Sequence, residues 1–162
     1  MPVHVALGTP SPVRVTIEGE TYEVHLSSQS IRVAVGTDTR ARQLLQPLTA
    51  ASALSGHRIV RTDAEGRALY ASNDEAADTG RALGMTTGAA EPLAAVQVLL
   101  QGVWREPTWA WDPSRPVYLG VEGALTQEAP TKAGGAHFLQ IVGVPLSPTR
   151  LYLDIRQAVV LA

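Results

Sequence analysis

The sequence contains no cysteine, a single phenylalanine and a single lysine, and no long uninterrupted apolar run. Without cysteine, structural disulfides, thiolate zinc sites, iron–sulfur clusters and cysteine nucleophiles are excluded, while the redox compartment stays open. The scarcity of lysine is not a scarcity of positive charge. Twelve of the thirteen basic residues are arginine, against fifteen acidic residues, for a net charge of −2. Such a balance lacks the basic footprint of a nucleic-acid binder, and no nucleic-acid partner is expected. The richest apolar stretch, residues 92–100, is interrupted by Gln97 and falls well short of the roughly 18–20 residues a membrane helix needs, so no membrane partner is expected. The first residues carry no basic n-region before Pro10 and Pro12, so export on a signal peptide is not expected either.

What is present points to β-structure. The chain has 162 residues, of which 25 are glycine or proline, a length that suits one domain with an arm. Val13, Val15 and Ile17 alternate with Arg14, Thr16 and Glu18, as in a half-buried strand, and a second alternating run follows Gly19, so residues 13–26 read as a hairpin. A third strand is expected at residues 31–35. Residues 1–36 thus read as a small β docking or arm segment. Residues 37–56 read as a linker in which Arg40 to Leu48 form a short helix limited by Pro47.

Residues 57–162 read as an antiparallel β domain. Strands are expected at 57–61, 67–71, 82–86, 94–100, 116–119, 138–144 and 151–155, with a last apolar run at 158–161. Ser72 and Glu75 have capping-box spacing, which predicts a short helix through Ala76 and Ala77. Short strands separated by Gly and Pro, without long helical periods, predict a mainly β fold: an antiparallel β-sandwich or β-barrel, β-tulip-like, preceded by the small N-terminal hairpin.

Chemistry-bearing patterns are sparse. His4, His25, His57 and His137 show no metal-ligand spacing, and each reads as an ordinary exposed or hydrogen-bonded histidine. Asp74, Glu75 and Asp78 lack the ligand alternation of a calcium loop, and helix capping is the simpler reading. Gly80 and Gly84 are not followed by the Lys-Ser/Thr of a phosphate loop. No catalytic residue, cofactor site or metal site is singled out, and no enzymatic activity is expected. The unusual stretch is 102–113, which holds all three tryptophans, Trp104, Trp109 and Trp111. If the segment is extended, Trp109 and Trp111 share a face. They either fill the core or a subunit interface in a chain with one Phe, or form a platform for stacking a sugar. With Tyr118 they are the candidate interface or glycan contacts.

Several runs resemble a module of tailed-phage virion proteins. They are Ser55-Gly56-His57-Arg58-Ile59-Val60, Gly66-Arg67-Ala68-Leu69-Tyr70-Ala71-Ser72-Asn73, Trp109-Ala110-Trp111-Asp112-Pro113, Pro116-Val117-Tyr118-Leu119-Gly120, Gly123-Ala124-Leu125-Thr126-Gln127, Pro130-Thr131, and residues 140–149. The resemblance covers roughly residues 51–162 and is to capsid decoration (cement) and head-fibre proteins. In these runs Glu122-Gly123 reads as a turn, Gly143 as a close approach or bulge, and Pro145 and Pro148 as the end of strand pairing.

The resemblance implies a non-enzymatic structural protein at the capsid surface of a virion, made in the host cytoplasm. It implies a homotrimer that bridges and stabilises subunits of the major capsid protein. The alternative is a tail-fibre or receptor-binding module whose Trp109 and Trp111 contact host-surface glycan. The N-terminal strands are the natural docking element, since a small sheet with unpaired edges can complete itself on a neighbour. The apolar C-terminus is expected to be buried against a sheet or a subunit.

Overall fold

The computed structural model describes residues 13–17, 20–24 and 43–162. The chain forms two compact units, Met1–Asp38 and Thr39–Ala162.

In the first unit, β1 (Val13–Ile17) and β2 (Glu20–Val24) pair antiparallel, with Val15 opposite Tyr22 and Ile17 opposite Glu20. This is the hairpin read from the alternation around Gly19. The strand expected at 31–35 lies outside the described residues, as do His4 and His25.

The second unit is mainly β and antiparallel, its principal sheet curled into a half-barrel. Its strands are β3 (Leu44–Thr49), β4 (Ile59–Thr62), β5 (Ala68–Tyr70), β6 (Gly84–Thr86), β7 (Ala95–Arg105), β8 (Val117–Leu119), β9 (Leu125–Thr126), β10 (Phe138–Leu139), β11 (Ile141–Ser147), β12 (Arg150–Leu153) and β13 (Val159–Val160). The sheet runs β5-β4-β6-β7-β12-β11-β8-β9, with β3 also on β7, while β10 and β13 form a separate pair.

Alternation along the strands gives this sheet two apolar faces. On one, Ile59, Met85, Leu99, Val117, Leu119, Phe138, Val142, Leu151 and Leu153 close a core around the only phenylalanine. On the other, Val60, Ala68, Val96 and Val98 pack with Ala50 and Leu54. Ile59 and Val60 are neighbours on β4 and point to opposite faces, so one short strand feeds both clusters.

Residues 43–56 depart from the expected helix and linker, and Arg40 to Arg42 of that helix lie outside the described residues. Leu44–Thr49 is a strand paired along β7, and the following residues lie in the structure rather than over it. Ala50 and Leu54 are buried, Ala51 N–H donates to Ala68 O at 2.8 Å, and Leu54 exchanges backbone hydrogen bonds with Ala90. The physical reason is β7: at eleven residues it outruns β12, which pairs only with Gly102–Arg105, and the rest of that edge is a row of unsatisfied backbone groups that residues 44–49 fill. Pro47 is tolerated because β3 is an edge strand.

The proline at 145 does not end its strand either. Pro145 is opposite Leu151, a register shift follows, and Ser147 is opposite Arg150, while β8 pairs no further than Gly143. A bulge and a single partner strand accommodate the missing N–H. Gly143 does mark a close approach: a Cβ there would lie 2.7 Å from Tyr152 O. Gly123, at φ 72, turns under β4, where a Cβ would strike the backbone carbonyl oxygen of Ile59.

Candidate functional site

The tryptophans gather at the end of β7. Trp104 is on the strand, and Trp109 and Trp111 lie on the loop that leaves it. All three are half-buried and packed against the Phe138 core. The loop is a run of turns rather than an extended strand, so Trp109 and Trp111 do not share a strand face as the sequence suggests. They touch instead across a bend, ring centroids 5.4 Å apart and planes tilted at 58°. Tyr118 is elsewhere. It sits on β8 between buried Val117 and Leu119, on the face turned away from that core.

Hydrogen bonds hold the loop at both ends. Glu106 N–H donates to Thr149 O at 3.0 Å, and Trp111 N–H to Pro148 O at 2.9 Å, tying it to the β11–β12 turn. Gln127 clamps the far end. Its Oε1 accepts from Asp112 N at 2.9 Å, and its Nε2 donates to Asp112 O at 2.8 Å and Arg115 O at 2.9 Å. Within the loop, the Thr108 amide and hydroxyl donate to Glu106 Oε1 at 3.1 and 2.9 Å. These two bonds hold the Glu106 carboxyl below the usual carboxylate range. The Ser114 hydroxyl and then its amide do the same for Asp112.

His57 joins this cluster, which its sequence surroundings gave no reason to expect. The Trp104 indole N–H donates to its Nε2 at 3.1 Å. Trp109 meets the imidazole edge-on, centroids 5.4 Å apart at 70°, and Trp104 lies tilted at 6.0 Å. Glu106 Oε2 stands 3.6 Å from the same Nε2. Because indole nitrogen only donates, Nε2 must carry a lone pair and the proton sits on Nδ1. The Glu106 contact is therefore not a charge pair in this state. His57 adopts a left-handed backbone, φ 58, a conformation that histidine takes more readily than most residues.

Away from the tryptophans, a cleft of 440 Å³ lies beside β4 and β5, lined by Arg61, Tyr70, Ser72, Asp74, Asp78 and Glu122 among others. Asp78, only 2% exposed, lies 2.5 Å from Arg61 Nε and accepts from Ser72 N at 3.0 Å. The Arg61 contact is close but not aligned as a hydrogen bond, so Coulomb attraction rather than a directed bond holds the pair. Ser72 does not cap a helix. Its hydroxyl donates to Asp74 and accepts from Glu122 N at 2.9 Å, and the short 3₁₀ turn Ala76–Asp78 begins at Glu75 without a side-chain cap. Asp74, Glu75 and Asp78 accordingly do not form a capping set, and no group of three side chains that could hold a metal ion is found among the described residues. His137 is exposed, its amide bound to Asn73 O at 2.8 Å.

Aromatic packing against the core, an imidazole that accepts from Trp104 and a loop pinned at both ends define this cluster. No protein-family model matches the sequence, and no curated protein matches it.

Proposed function

We propose that this chain is a non-enzymatic building block of a tailed-phage virion, which decorates the capsid and stabilises it by bridging subunits of the major capsid protein. The observation that carries the reading is apolar side chain left in water on a strand-built surface. Val144 and Leu146, on the outward face of β11, are 41% and 51% exposed, and Val144 is directly opposite Tyr152. The C-terminal strand β13 pairs with β10 through its backbone, yet Val159 and Val160 are 59% and 68% exposed. β-branched and leucine side chains grouped on a sheet face or an edge strand are what a binding partner covers.

The N-terminal hairpin supports the same reading. β1 and β2 pair only with each other among the described residues, and an isolated two-stranded sheet is marginal until it adds to another. A copy of the chain and the capsid protein are the partners this surface suits. The resemblance of residues 51–162 to capsid decoration and head-fibre proteins supports the choice of particle.

Immunogold labelling of purified virions tests the assignment. Label over the head is the expected result. Label confined to tail fibres, with host-cell binding lost in Trp109→Ala while the fold is retained, establishes the glycan-binding alternative instead. Absence of label from virions overturns both.

A further inference from the structure

We propose that His57 is a proton-operated latch on the tryptophan loop: neutral, it holds the Trp104 indole, and on taking a proton at Nε2 it releases that indole and turns to Glu106.

One nitrogen faces two neighbours with opposite demands. Trp104 Nε1, 3.1 Å away, needs a lone pair on Nε2. Glu106 Oε2, 3.6 Å away, is an acceptor and needs a proton there. Both cannot be served at once. In the neutral state the indole bond is made and the carboxylate waits just outside hydrogen-bond distance. When a solvent proton binds the Nε2 lone pair, the indole N–H faces another N–H and loses its acceptor, while Nε2–H gains a charge-assisted bond to the carboxylate. No other proton moves and no covalent bond between heavy atoms changes.

The surroundings make the exchange local. The backbone of His57 is fixed by its amide bond to Thr86 O at 2.8 Å, so the imidazole turns rather than travels. Glu106 is anchored by Thr108 and by its own amide to Thr149 O, and the Thr108 bonds keep it ionised across the range in which histidines titrate. Glu106 is the one carboxylate within 4.0 Å of the imidazole among the described residues. Of the charged groups on neighbouring elements, Arg58 directs its guanidinium to Glu122 O at 3.3 Å, and Arg105 and Arg150 are exposed cross-strand partners on β7 and β12. The released indole adjoins Trp109, which contacts Trp111, so a single proton changes the surroundings of every tryptophan in the chain. The proposal stands on this geometry and does not depend on the virion assignment.

The full chain tests it without a partner. Indole ¹H–¹⁵N spectra and tryptophan emission are followed between about pH 8 and pH 5, the span in which histidine charge ordinarily changes. The expected result is a one-proton transition in which the Trp104 resonance, assigned with Trp104→Phe, shifts most and emission changes with it. His57→Asn, chosen because Asn accepts a left-handed backbone, removes the transition. A Trp104 resonance that stays put in the wild-type chain overturns the proposal whether or not the variants fold, and so does a transition that persists in folded His57→Asn.

Discussion

The Trp104 indole donates to Nε2 of His57 at 3.1 Å across a sequence separation of 47 residues. This bond joins the end of β7 to the start of β4. It brings the imidazole against two of the three tryptophans, Trp104 and Trp109, and it fixes which imidazole nitrogen carries the proton.

Replacing His57 by Phe keeps a ring in the cluster but strands the Trp104 donor. A part-buried donor without a partner costs about 1–3 kcal/mol. The variant is expected to unfold at lower urea concentration by that amount, and His57→Asn, which tolerates the left-handed backbone, to lose less. Equal stability of wild type and the Phe variant in urea titrations would show the bond to be energetically idle.

Gly123→Ala is expected to be among the more damaging small substitutions. The residue has φ 72, and its Cβ would strike Ile59 O on β4. Left-handed strain and the collision together predict a loss of roughly 1–3 kcal/mol, read as a drop in thermal midpoint. Gly66, also left-handed but with nothing near its Cβ position, is the control and should lose less.

Asp78→Ala removes the counter-charge from Arg61 and the acceptor from Ser72 N. Breaking a buried pair in this way costs roughly 3–5 kcal/mol, and the 20% exposure of Arg61 places the loss at the lower end. A double-mutant cycle with Arg61→Ala checks the mechanism. The double variant should be less destabilised than the sum of the singles, because neither charge is then left alone.

Acid should weaken the tryptophan loop through two carboxylates. Glu106 and Asp112 are held below their ordinary values by Thr108 and Ser114. Folded-state values below unfolded ones contribute stability that is fully present above the unfolded range, around pH 4–5, and lost as pH falls through the folded values. Chemical denaturation is therefore expected to show these contributions constant above that range and declining below it. Thr108→Val and Ser114→Ala should each flatten the decline.

The fold was largely legible because strand alternation is local. Val117/Leu119 and Leu151/Leu153 each show which face is buried without reference to the rest of the chain. Leu44–Thr49 was not legible. Its Leu-Leu-Gln-Pro-Leu order lacks a period of two, and what makes it a strand is the spare edge of β7 fifty residues on. Ser72 was misread for a related reason: its hydroxyl is claimed by Asp74 and by the amide of Glu122, and only the latter contact is distant in sequence. Trp109 and Trp111 were identifiable as a cluster by composition. His57 was not, since its partners Trp104 and Glu106 are brought to it only by the closure of the sheet.

Sedimentation with capsid shells tests the central claim most directly. Under the proposed function, shells assembled from the major capsid protein of the proposed parent phage are mixed with purified wild-type protein and with Val144→Lys and Leu146→Lys, which place charge on the exposed face of β11. The wild-type chain is expected to sediment with the shells and raise their disruption temperature, and the lysine variants, folded by circular dichroism, to bind more weakly. A wild-type chain that stays in the supernatant and leaves the disruption temperature unchanged would contradict the account.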